Sequence, residues 1–148
     1  MKLRIPHDAA VIVCDGQKAL FLRNEGDEDF PNLKVDRVAE AEETGRTSDL
    51  GTDRPGRTQN AAGPTSAMEP TDWHARAERH FAEETARAVA AIHDKDHKRK
   101  IVLVAPPKTL AALRETLGET LRPSVLAEID KDLTHHPVHE IERLLTAA

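Results

Sequence analysis

Asp15, Glu83 and Glu84 are the carboxylates whose placement could hold a divalent cation, Asp15 just after a first apolar segment and the glutamates inside a long amphipathic one. Two-metal hydrolysis needs carboxylates from different elements to hold two cations about 3.5–4 Å apart. The apolar segment that should lie centrally ends Val104-Ala105-Pro106 and brings no carboxylate there. A nuclease is therefore not the expected reading, and Asp15 is equally the turn residue of a hairpin. His135, His136 and His139 have the short spacing of an imidazole metal site. Pro137 interrupts them, no cysteine joins them, and Asp130, Asp132 and Glu140 read as surface residues. Polar residues at a helix start are the simpler expectation. His93 and His97 frame Asp94-Lys95-Asp96 and run into Lys98-Arg99-Lys100. That stretch reads either as a solvated helix end or as a secondary basic patch that contacts phosphate. Cys14 reads as a small core residue, because nothing nearby in sequence supplies the electropositive setting a thiolate needs.

The arginines of the central stretch differ in kind. Half of the residues from Gly45 to Pro70 are Gly, Pro, Ser or Thr, and only Leu50 and Met68 are large and apolar. Such a segment buries too little surface to offset its ordering entropy and reads as a flexible loop over about 45–70. It carries Arg46 and, around a Pro-Gly turn, Asp53-Arg54-Pro55-Gly56-Arg57. Guanidinium groups suit bidentate contact with phosphate. Asp49 and Asp53 offset two of the three arginine charges, so solvated surface charge is the competing reading.

The rest of the chain supplies a body to position these groups. Its 148 residues suit one domain, residues 1–148, large enough for a true core. Ala9 to Cys14 is an apolar strand, Asp15-Gly16 a hairpin signal through tolerance of positive φ, and Gln17 to Asn24 the returning strand. Glu25 to Asp29 is a carboxylate-rich solvated loop. Leu33 to Ala41 alternates, with Leu33, Val35, Ala39 and Ala41 on one face. A helix from Thr71 or Asp72 to about His93 carries an inward stripe of Trp73, Ala77, Phe81, Thr85, Ala88 and Ile92, with Trp73 as a core anchor. Ile101 to Ala105 is a central strand, Pro106-Pro107 opens a helix that Gly118 ends, Val125 to Asp130 is a fifth strand, and Pro137 starts a last helix. The result is a mixed α/β sheet of order βββαβαβα, an order shared with ribonuclease-H-like folds.

A net charge of −5 disfavours non-specific coating of nucleic acid and confines any such contact to a local patch. No apolar run approaches the roughly 20 residues of a membrane span and no signal-peptide core is evident. A cytoplasmic protein with no membrane contact is expected, and the lone cysteine fits a reducing compartment.

Five stretches in order, Val11 to Gly16, Asp49 to Arg57, His80 to Glu84, Val104 to Leu110 and Glu128 to Thr134, resemble the bacterial host-attachment protein family. That family is grouped with bacterial relatives of the archaeo-eukaryotic peptide-chain release factor. The resemblance implies the fold of the release factor's middle domain, in which a Gly-Gly-Gln tip on the loop before the long helix promotes ester hydrolysis on the ribosome. Here the corresponding loop reads Gly56-Arg57-Thr58-Gln59, without the glycine pair. What the resemblance implies is thus a non-catalytic factor with the ribosome or transfer RNA as partner, docking through Arg46, Asp53, Arg54, Pro55, Gly56 and Arg57. Lys98, Arg99 and Lys100 form the secondary patch, and no cofactor or metal is expected. The alternative follows the family's name, an indirect promotion of attachment to host cells. A third reading is a remnant peptidyl-transfer-RNA hydrolase using Gln59 or His80.

Overall fold

A computed structural model describes residues 2–41 and 70–147. The elements run β1 (Ala10–Cys14), β2 (Lys18–Asn24), β3 (Leu33–Glu40), α1 (Pro70–Lys95), β4 (Ile101–Ala105), α2 (Pro107–Leu117), a 3-10 turn (Arg122–Ser124), β5 (Val125–Asp130) and α3 (Val138–Thr146). This is the βββαβαβα order expected from sequence. The five strands form one mixed sheet of order β3-β2-β1-β4-β5. β1 pairs with β2 and β2 with β3 antiparallel, while β4 runs parallel to both β1 and β5.

The central strands are buried on both faces, which explains their unbroken apolar runs. One face, with Ile12, Cys14, Phe21 and Leu103, packs under Phe81, Ala86 and Val89 of α1 and Leu110 and Leu113 of α2. The opposite face, with Val11, Val13, Leu22, Val102 and Val104, packs against Ile141 and Leu145 of α3 and against Ile5. Helices on both faces thus seal the sheet. Pro107 opens α2 and Gly118, at φ 71°, closes it with its N–H donating to the Arg114 carbonyl at 3.1 Å.

Three local expectations are corrected. In the β1–β2 turn neither Asp15 nor Gly16 has positive φ. The turn is held instead by the Asp15 carboxylate, which accepts from the Gln17 and Lys18 amides at 2.7 and 2.8 Å. Glycine is needed at position 16 for space, because a Cβ there would lie 2.6 Å from Cγ of Glu78. In β3, a bulge at Asp36 shifts the register between Phe21–Arg37 and Leu22–Val35. Val35 and Val38 consequently share the face of Leu20 and Leu22, while Ala39 and Ala41 join the α1 side. The bulge also delivers the Asp36 carboxylate to Arg23 at 3.3 Å and to Arg99 at 3.8 Å.

The third correction concerns Trp73, which is 51% exposed rather than a core anchor. A 26-residue helix is about 39 Å long, whereas strands of five to eight residues span only about 17–27 Å. α1 overhangs the sheet, so every residue from Trp73 to His80 is exposed and burial begins at Phe81.

Candidate functional site

α1 from Ala77 to Ala88 lines one wall of a groove whose other wall is the end of β3. Its volume is about 690 Å³. Phe21 and Phe81 lie along its base, Ala39 and Ala41 on the β3 wall, and Ala77, His80, Glu84 and Arg87 on the α1 wall. The Arg37 guanidinium sits 5.1 Å above the Phe21 ring, a cation–π contact at the groove's base. The buried Thr85 hydroxyl donates to the Phe81 carbonyl at 2.9 Å, so this hydroxyl is already spent within the helix.

Positions three and four apart share a helical face, which sets Trp73, Arg76, Ala77 and His80 in one stripe that continues into the groove. The stripe therefore offers an indole, a guanidinium and an imidazole in solvent. His80 Nε2 lies 3.3 Å from Glu84, and Arg79, on the neighbouring flank, pairs with Glu83 at 3.4 Å and with Glu115 of α2. These pairs tie the first half of the helix to its own surface and to α2. Sequence periodicity read Trp73 as buried because the pattern continues smoothly past the point where the sheet stops.

Arg46, Asp53, Arg54, Pro55, Gly56, Arg57 and Gln59, the expected loop residues, lie outside the described residues. The described residues break off after Ala41 and resume at Pro70. The Ala41 amide donates to the Gln17 carbonyl at 2.7 Å, which holds Ala41 next to the β1–β2 turn.

The side chains of the secondary basic run divide. Arg99 folds inward, donating from Nε to the Asp8 carbonyl at 2.7 Å and reaching Asp36, whereas Lys98 and Lys100 remain exposed. The guanidinium pins the segment before β1 to the β3 bulge.

The turns after β1 and β5 meet in a junction that sequence reasoning missed. The buried Thr134 hydroxyl oxygen is 2.9 Å from both Asp15 Oδ2 and Asp132 Oδ1. A hydroxyl carries one proton, so it donates to one of these carboxylates at a time. Asp132 is exposed, as expected of a surface residue, and its carboxylate bonds the buried Thr134 at this end of the sheet. The Asp-x-Thr spacing was the available signal, since aspartate commonly bonds the backbone two residues on, as Asp132 Oδ1 does with the Thr134 amide at 3.3 Å. Burial, followed by the charges of Asp15 and Asp132, pushes the Cys14 thiol up to about 12. That leaves Cys14 a protonated core group.

His135, His136 and His139 do not converge on a metal. Among the described residues, the group whose ligating atoms approach one another is His93, Asp94 and His97. Asp15 is engaged by Gln17, Lys18 and Thr134, while Glu83 and Glu84 face Arg79 and His80.

None of the described helices is long and apolar enough to cross a membrane. No curated protein matches the chain. The family model described as "Protein required for attachment to host cells" matches residues 10–145, from the start of β1 into α3, and the chain belongs to that family.

Proposed function

We propose that this protein is a non-catalytic factor that docks on ribosomal or transfer RNA, using the exposed start of α1 together with the arginines at 46, 54 and 57. The observation that carries the reading is Trp73. A half-exposed indole on the first described turns of a helix, with Arg76 and His80 on its own stripe, is what a stacking and phosphate-contacting surface requires. The loop arginines adjoin this helix in sequence and add the groups best suited to phosphate. The net charge of −5 makes such binding local, not diffuse.

The test is co-sedimentation of the full chain with ribosomes at two salt concentrations. The expected result is association at low salt that weakens as salt rises, with a shallower salt dependence when Arg54 and Arg57 are both alanine. Sedimentation only with free protein, at low salt and with or without stress, contradicts the reading. The family's name supports a second function, promotion of attachment to host cells. Labelling of intact bacteria separates direct surface display, which labels strongly, from an indirect effect, which does not.

A further inference from the structure

The C-terminal end of α1 gathers groups that neither the family's description nor the RNA-docking surface uses. His93, Asp94 and His97 each place one ligating atom within 4.8 Å of the others. The two imidazole rings stack with centroids 4.9 Å apart and planes inclined by 30°. His93 is only 8% exposed, whereas Asp94 and His97 are in solvent. One ligand is therefore held by the core, and two can adjust.

The orientation of the buried ring follows from its partner. Ser124, in the 3-10 turn before β5, puts its Oγ 3.1 Å from His93 Nε2 and 3.4 Å from the His97 carbonyl. The hydroxyl has one proton; in the tautomer this site requires, that proton goes to the carbonyl and the Ser124 oxygen accepts from a protonated Nε2. The lone pair left on His93 is then on Nδ1. A histidine that gives its second N–H to a fixed oxygen is the usual arrangement of a metal ligand. Nitrogen and carboxylate ligands sit about 2.0–2.2 Å from zinc, and hence roughly 3.4 Å from one another in a tetrahedron. Closing the remaining distance requires the exposed Asp94 and His97 side chains to change rotamer, the His97 ring turning out of its stack on His93. The Arg99 guanidinium is turned away to Asp8 and Asp36.

We propose that His93, Asp94 and His97 form a zinc-class cation site at the C-terminal end of α1, where Ser124 of the turn before β5 holds the His93 ring. Two neutral imidazoles and one carboxylate favour zinc over calcium or magnesium, which prefer all-oxygen shells. Three protein ligands leave a fourth position for water.

The experiment is equilibrium competition for Zn²⁺ between the full chain and a chromogenic chelator, with Co²⁺ absorption to report tetrahedral coordination. Wild type should take up one equivalent. His97→Ala and Asp94→Asn change exposed residues and should keep the native circular dichroism, yet weaken binding by at least about 10-fold, the lower end of what altering a metal site's surroundings costs. A chain with His135, His136 and His139 all changed to alanine should bind as wild type does. The proposal is overturned if wild type takes up no zinc, if His97→Ala binds equally well, or if removing the other three histidines abolishes uptake.

Discussion

At its N-terminal end α1 leaves Trp73 half exposed, while twenty residues further along His93 is buried against Ser124. The same helix thus carries one end built for solvent or a partner and another built into the body. The difference is a matter of length. Only the stretch from Phe81 onward lies over the sheet, and only there does an apolar position meet an apolar surface. A hydrophobic residue at a regular helical interval is therefore not evidence of burial unless a second element is present to bury it.

Breaking the buried part should have the largest effect. Phe81→Ala removes a side chain from the core cluster that also holds Phe21 and Val89 and is expected to cost about 3–5 kcal/mol of unfolding free energy, read by urea denaturation. Next comes Arg99→Ala, which releases the charged donor from the Asp8 carbonyl and is expected to cost about 1.5–3 kcal/mol. Lys98→Ala and Lys100→Ala, in contrast, should stay within about 0.5 kcal/mol of wild type. An Arg99→Ala chain as stable as these would mean that the inward guanidinium contributes nothing to the body.

Cys14, in the same core cluster as Phe81, adds a pH test. Its thiol is raised from 9.0 to about 12 by burial first and by Asp15 and Asp132 next. The folded state therefore holds a proton that the unfolded chain releases earlier. That contribution is complete below pH 9 and is lost as the pH climbs towards 12. Cys14→Ala should show a shallower alkaline decline in stability than wild type, and native Cys14 should resist alkylation until the chain is unfolded. The smallest stability effect belongs to the exposed end, where Trp73→Ala should shift unfolding by no more than about 0.5 kcal/mol. The same substitution should weaken RNA binding by about 1–3 kcal/mol if the indole stacks on a base.

Much of the body was legible because its signals are local. Five apolar residues from Ile101 to Ala105, a proline pair opening α2 and Gly118 closing it each name an element without reference to anything distant. What escaped depends on partners far along the chain. Alternation in β3 could not reveal the bulge at Asp36, since the extra residue is defined only by its pairing with β2. Arg99 reads as one of three basic neighbours until Asp8, 91 positions earlier, is brought to its Nε. The Asp15–Thr134 bond spans 119 positions, and His93 acquires its role only through Ser124. Of the proposed docking surface, the arginines lie outside the described residues, whereas Trp73 was taken as buried because the sheet's length is not written in the helix's own periodicity.

Trp73 is the only tryptophan in the chain, so its emission reports on the proposed surface without any label. Titration of the full protein with transfer RNA or a short ribosomal RNA hairpin, corrected for absorption with free tryptophan amide, should give saturable quenching that salt reverses and that Arg54→Ala with Arg57→Ala weakens. Emission unchanged at saturating RNA and low salt would contradict the account.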